Sequence, residues 1–112
     1  MSLKYQHTFV ICAYGDSPFL EECILSLVNQ ELKSHVILYT STPSDYIENL
    51  CLKYNIPYHS KIGGGIGKDW NNALSFVKTK YATIAHQDDY YLPTYSLEIM
   101  EKASTRFSNY LF

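Results

Sequence analysis

Apolar residues follow two rhythms along this chain. Thr8-Phe9-Val10-Ile11-Cys12-Ala13 is an unbroken β-rich run, the pattern of a strand covered on both faces as in a parallel sheet. Tyr14-Gly15-Asp16-Ser17-Pro18 breaks it. Leu20, Cys23, Ile24, Leu27 and Val28 then recur at helical spacing, with Pro18 in the first turn, Asp16 or Ser17 as cap, and Glu21 and Glu22 at the positive end. This helix ends near Asn29-Gln30.

The alternation repeats. His35 to Tyr39 reads as a second strand. Thr42 is a candidate cap with Pro43 at the first helical position, and Ile47, Leu50, Cys51 and Tyr54 form the next stripe, ending at Asn55. Ile56-Pro57-Tyr58-His59 reads as a short strand that its proline assigns to a sheet edge. Glycines occupy 63, 64, 65 and 67, and a third helix follows from about Lys68 with Trp70, Ala73, Leu74 and Val77 on one face. Tyr81 to Ala85 is a fourth strand. A last helix, capped by Thr94 or Ser96, runs to about Arg106 with Ile99, Met100, Ala103 and Phe107 inward.

Strands alternating with helices imply an α/β fold with a mostly parallel sheet and right-handed crossovers. Ligands of such sheets sit at the carboxyl ends of the strands, near the switch in strand order. Loops 14–17, 40–45 and 86–91 fall at those ends, and 61–68 follows the short strand. With strand order 3-2-1-4, residues 14–16 and 86–89 line one crevice.

Composition narrows the partners. The 112 residues suit one domain over 1–112, and a 46% apolar content excludes wholesale disorder. A net charge of −2 gives no basic footprint for nucleic acid or anionic lipid. No apolar run approaches the ~20 residues of a membrane span. The N-terminus does not read as a secretion leader, so the expected location is cytoplasmic. Cys12, Cys23 and Cys51 are odd in number, lack metal-type spacing and fall on apolar positions, as buried reduced thiols do. Eleven tyrosines serve equally as core or as faces for a nucleobase or sugar.

Two segments carry candidate chemistry. The glycine loop is not a P-loop, whose leading Gly would stand at Ile62 and whose Ser or Thr is replaced by Asp69. Nor is it a dinucleotide loop, since Lys68 takes the place of the third glycine. A flexible connector and a loop bringing backbone close to a ligand, with Lys68 free for a phosphate, both remain. His86-Gln87-Asp88-Asp89 places two carboxylates at a strand end. Such oxygens suit Mg²⁺ or Mn²⁺, which can neutralise a diphosphate, although a capped polar turn uses the same residues. Asn71 and Asn72 sit unforced on the third helix, or simply on a solvated face. His7, His35 and His59 are scattered beside strands and read as structural or exposed.

In this order, the segments resemble family 2 glycosyltransferases, inverting enzymes of the Rossmann-like GT-A fold, over about residues 8–93. Phe9-Val10-Ile11-Cys12-Ala13-Tyr14-Gly15 resembles the family's first strand. Leu20 to Gln30 resembles its first helix, Gly64 to Lys68 with Asn71 resembles the segment before the third helix, and Ala85 to Pro93 resembles the Asp-x-Asp segment. The resemblance implies a partial GT-A domain, the donor-binding half, with a nucleotide-diphosphate sugar as donor. It implies Tyr14 and Gly15 at the nucleobase, Asn71 and Lys68 near the ribose or diphosphate, and Asp88 on Mg²⁺ or Mn²⁺ with Asp89 in support.

The sequence departs from that pattern at three places. His86 replaces the first Asp, which contacts the ribose; an imidazole can still bond a hydroxyl or ligate a metal. Thr40 and Ser41 stand where the family usually carries the Asp that reads uracil, so the resemblance names no base. Cys12 replaces a Pro of the first strand, which implies no change in function. The family's catalytic carboxylate base is expected downstream of Phe112, and no residue of this chain matches it. The resemblance therefore implies inverting sugar transfer to an unidentified sugar or lipid-linked acceptor. Membrane association of a longer relative would then run through that acceptor or further segments. The alternatives are a nucleotide-sugar-binding fragment without catalysis and an interaction module that forms homo-oligomers through an unpaired sheet edge.

Overall fold

A computed structural model of the chain describes residues 5–61 and 66–105. Four parallel strands form one sheet. β1 (His7–Ala13) lies between β2 (His35–Thr40) and β4 (Tyr81–His86), and β3 (Tyr58–Ser60) flanks β2. The order β3-β2-β1-β4 is the one expected, with the switch between β1 and β4. Val10 stands opposite both Ile37 and Ile84, and Cys12 opposite His86. Pro57 precedes an edge strand, and its carbonyl accepts from Leu38 N–H.

Successive strand residues point to opposite faces, and both faces of the central strands are covered. Phe9, Ile11 and Ala13 of β1, with Val36, Leu38 and Ala85, face α1 (Leu20–Val28), α2 (Asp45–Lys53) and the start of α4 (Tyr95–Thr105). Leu20, Cys23, Ile24, Leu27, Ile47, Leu50 and Cys51 fill that side. The opposite face is thinner. Val10, Ile37 and Tyr39 pack on Ala73 of α3 (Ile66–Leu74), with Cys12, Phe76, Val77 and Ile84 half-buried around them. This two-sided cover explains why β1 reads as continuous apolar sequence.

Caps and ends differ from the sequence pattern at several places. α1 begins at Leu20 after Phe19, with no side-chain cap. Ser17 Oγ accepts from Phe19 N–H at 3.2 Å, while Asp16 is engaged elsewhere. α2 is capped by Ser44, not Thr42, because the Ser44 hydroxyl oxygen accepts from Ile47 N–H. Asn55 follows α2 in the left-handed region, φ 53°, which Asn tolerates. α3 starts at Ile66 and stops at Leu74, so Val77 lies past its end. Only Ala73 of the expected stripe is fully buried; Trp70 and Leu74 are 48% and 40% exposed. Ser96 is no cap: its N–H donates to Gln30 Oε1 at 2.8 Å and its hydroxyl to Leu32 O. Gly63 to Gly65 and Arg106 onward lie outside the described residues. Cys23 and Cys51 are buried and Cys12 is half-buried, all with free thiols.

Candidate functional site

Two loops meet where β1 and β4 end. Gly15 leaves β1 at φ +61°, a conformation an L side chain adopts only with strain, and its N–H donates to Thr42 Oγ1 at 2.9 Å. On the other side, the chain turns tightly after β4. Asp89 N–H donates to His86 O at 3.1 Å, and Asp88 N–H to His86 Nδ1 at 3.3 Å. Tyr91 Oη accepts from His86 N–H at 2.9 Å, and burial pushes the Tyr91 phenol up to about 12.

One side chain joins the two loops. Gln87 is buried, and its amide takes both backbone groups of Tyr14. Tyr14 N–H donates to Oε1 at 3.1 Å, and Nε2 donates to Tyr14 O at 3.0 Å. A second tie runs through the carboxylate. Ser17 Oγ donates to Asp88 Oδ1 at 2.6 Å. Around them, Ser44 Oγ donates to Asp16 Oδ1 at 2.8 Å and Tyr46 Oη to Ser17 O at 2.6 Å. The loop after β1 is thus held by groups from β4 and from α2.

A cavity of about 270 Å³ opens beside this junction on the thinner face of the sheet. Its wall comprises Cys12 and Ala13 from β1, Tyr14 just after it, Tyr39 from β2, Ile84 to His86 from β4, and Asp69 and Trp70 from α3. Burial first, and then the Asp69 charge, push the Cys12 thiol up to about 11, so it stays protonated and unreactive at neutral pH. Ser41 Oγ donates to Asp69 Oδ2 at 3.0 Å, whereas Asp69 Oδ1 is buried with no hydrogen-bond partner among the described residues. Asn72 Nδ2 donates to Tyr39 Oη at 3.2 Å. A second hollow of about 380 Å³ lies on the other side of Tyr14, against Gly15, Ser17, Gln87 and Asp88.

Of the expected site residues, Tyr14, Gly15, His86 and Asp88 line these two spaces. Asp89 is exposed in the same turn. Lys68 and Asn71 are exposed on α3 and line neither space. Three contributors are not visible in the sequence pattern. Gln87 reads as a spacer between His86 and Asp88, and only the fold reveals its clamp. Trp70 reads as core because it shares a stripe with Ala73. Asp69 stands out only as a mismatch to a phosphate loop. An acidic residue and an aromatic one at the start of a glycine-preceded helix are the available signal. Among the described residues, no set of three His, Cys, Asp or Glu is arranged to hold a metal ion by itself.

The sequence pattern of Glycosyl transferase family 2 matches residues 8–111. The chain belongs to glycosyl transferase family 2. The structure agrees with this glycosyl transferase assignment at the level of fold. It superposes on a crystal structure of Staphylococcus aureus TarS 1-349 with a TM-score of 0.79 at 18% identity, over 90% of this chain and 33% of that one. A crystal structure of S. aureus TarS gives 0.73 at 18% identity, over 89% of this chain and 20% of that one. The family 2 chain described here thus spans a third or less of the length of these structures. No curated protein sequence matches it. The parallel sheet and its order are those expected of the Rossmann-like GT-A fold.

Proposed function

We propose that this chain is the donor-binding part of a glycosyltransferase that takes a nucleotide-diphosphate sugar and transfers the sugar with inversion. The observation that supports this reading is the junction at the β1–β4 switch. There a cavity lined by Tyr14 and His86 adjoins an acidic turn bearing Asp88, in a chain of family 2. Tyr14 and Gly15 would border the nucleobase, and Lys68 and Asn71 would reach the ribose or diphosphate from α3.

The donor set fits a hard cation. Asp88 is an exposed carboxylate with one oxygen engaged by Ser17, and Asp89 stands beside it. Mg²⁺ is commonly bound through one or two carboxylates plus substrate phosphates and water, so a ready three-ligand cage is not required. Asp88 would hold Mg²⁺ or Mn²⁺, with Asp89 in support. Such an ion, when bound, offsets the charge of a departing nucleoside diphosphate. The chain's own groups do the positioning. The Ser17 hydroxyl fixes the Asp88 carboxylate, and the Gln87 amide holds Tyr14 against the same turn. His86 Nδ1 accepts from Asp88 N–H, which leaves Nε2 available to a hydroxyl.

Calorimetric titration with UDP, GDP, CDP and dTDP, each with and without Mn²⁺, tests the reading on wild type and Asp88→Ala. Metal-dependent binding of at least one nucleotide, weakened tenfold or more by Asp88→Ala, is expected. A folded sample that binds none of the four would overturn it.

A further inference from the structure

The cavity contains one polar group that the fold leaves unsatisfied. Asp69 is partly buried on the first turns of α3, and only one of its oxygens is used. Oδ2 accepts from Ser41, and Oδ1 has no partner among the described residues. A buried acceptor without a donor is unfavourable, more so when it is charged. A fold that carries this cost beside a cavity is set to recover it from a guest with an N–H or O–H to give.

The surrounding groups narrow the guest. Tyr14 and Trp70, about half exposed, line the same cavity, as does Tyr39. Aromatic faces stack on flat π-systems, a frequent basis of base recognition. The cavity lies just below the span of whole-ligand sites, about 300–1,000 Å³, and suits one ring system of a larger molecule. A carboxylate accepts and cannot donate, which sets a rule for the ring's edge. Uracil and thymine present an N3–H there, and guanine presents an N1–H beside an amino group. Cytosine and adenine present a ring nitrogen lone pair at the equivalent position, which a carboxylate repels. The terminal torsion of Asp is broad, so a modest turn brings either oxygen to such an edge.

We propose that Asp69 is the base-reading residue of the donor cavity and selects nucleotides whose base carries a ring N–H. The inference rests on the nucleotide-sugar reading above and adds to it the class of base and the residue that reads it. Ser41 holds the carboxylate in place, and Trp70, one residue along α3, supplies a face for the ring.

Trp70 is the chain's only tryptophan, so its fluorescence reports on the cavity directly. UDP, GDP, CDP and ADP would be titrated with Mg²⁺ into wild type, Asp69→Asn and Asp69→Ser, following Trp70 emission and heat together. The amide of Asn both donates and accepts, so it should level the preference. Expected is a wild type that binds UDP or GDP about 10- to 100-fold more tightly than CDP and ADP, with a change in Trp70 emission. Both variants should lose that preference while keeping a cooperative thermal melt. Wild type that favours CDP or ADP, or variants that keep the wild-type order, would overturn the inference and leave the donor reading intact. So would Mg²⁺-dependent binding, weakened by Asp88→Ala, that leaves Trp70 emission unchanged. No binding of any nucleotide would overturn both.

Discussion

The two faces of the sheet are built from alternate residues of the same strands and do different work. Phe9, Ile11 and Leu38 are closed over by α1, α2 and α4, and among the described residues no buried side-chain polar atom on that side lacks a partner. Gln30 is almost fully buried, yet its amide donates to Ser26 O and Leu92 O and accepts from Ser96 N–H. Val10 and Tyr39, one residue out of phase, meet only α3 and the Phe76–Val77 segment beyond its end. That side keeps a cavity, a half-exposed Trp70 and an unsatisfied Asp69 oxygen. The contrast shows how one strand can serve both requirements. The residues facing one way hold the fold together, and those facing the other are free to be arranged around a guest.

The contrast breaks if the two faces respond alike to substitution. The largest effect is expected from Phe9→Ala, which empties a fully buried site stacked on Tyr95. Large-to-small changes of this kind cost about 3–5 kcal/mol, to be read from urea unfolding. Next comes a pH effect at the base of the same face. His7 is buried between Ser34 Oγ (2.8 Å) and Thr83 Oγ1 (2.7 Å), and burial lowers it from 6.5 to about 4. A depressed histidine binds its proton more readily in the unfolded chain. Its contribution is therefore complete above about pH 6.5 and is lost as pH falls towards 4, by up to about 3 kcal/mol. Comparing unfolding midpoints of wild type and His7→Gln at pH 7 and 4.5 checks this, since the variant should lose that part of the slope.

Gln30→Ala should cost about 2 kcal/mol, because it leaves the buried Ser96 N–H without its acceptor and removes the donor to Leu92 O. A thermal melt suffices to see it. The smallest stability change is expected on the open face. Trp70→Ala should stay within about 0.5 kcal/mol of wild type in unfolding while weakening nucleotide binding about tenfold in calorimetry. A Trp70→Ala variant as unstable as Phe9→Ala would make that face a second core and remove the distinction.

The fold was legible because its signals are local. Period and punctuation place the four strands and four helices of the described residues, and the unbroken run at β1 already implies cover on both sides. The caps were less legible. Asp16, Ser17, Thr42 and Ser44 are all good cap residues, and only the packed loops decide that Ser44 caps while Thr42 and Asp16 bind across to neighbouring segments. The stripe on α3 misled for a different reason. Trp70 and Leu74 share a face with Ala73, but the cover on that side is too thin to bury them. At the site, His86 and Asp88 stand out by residue type, whereas Gln87 and Asp69 act through partners 73 and 28 positions away, a distance no local pattern encodes.

The Gln87 amide has a consequence for how this site can change. It satisfies both backbone groups of Tyr14 as another strand residue would, so the ladder between β1 and β4 effectively continues one rung past the last paired residues. The address of the acidic turn is therefore written in a residue that faces inward, while its lettering is carried by His86, Asp88 and Asp89, which face out. Rewriting those outer positions would change which chemistry is on offer without moving where it is offered.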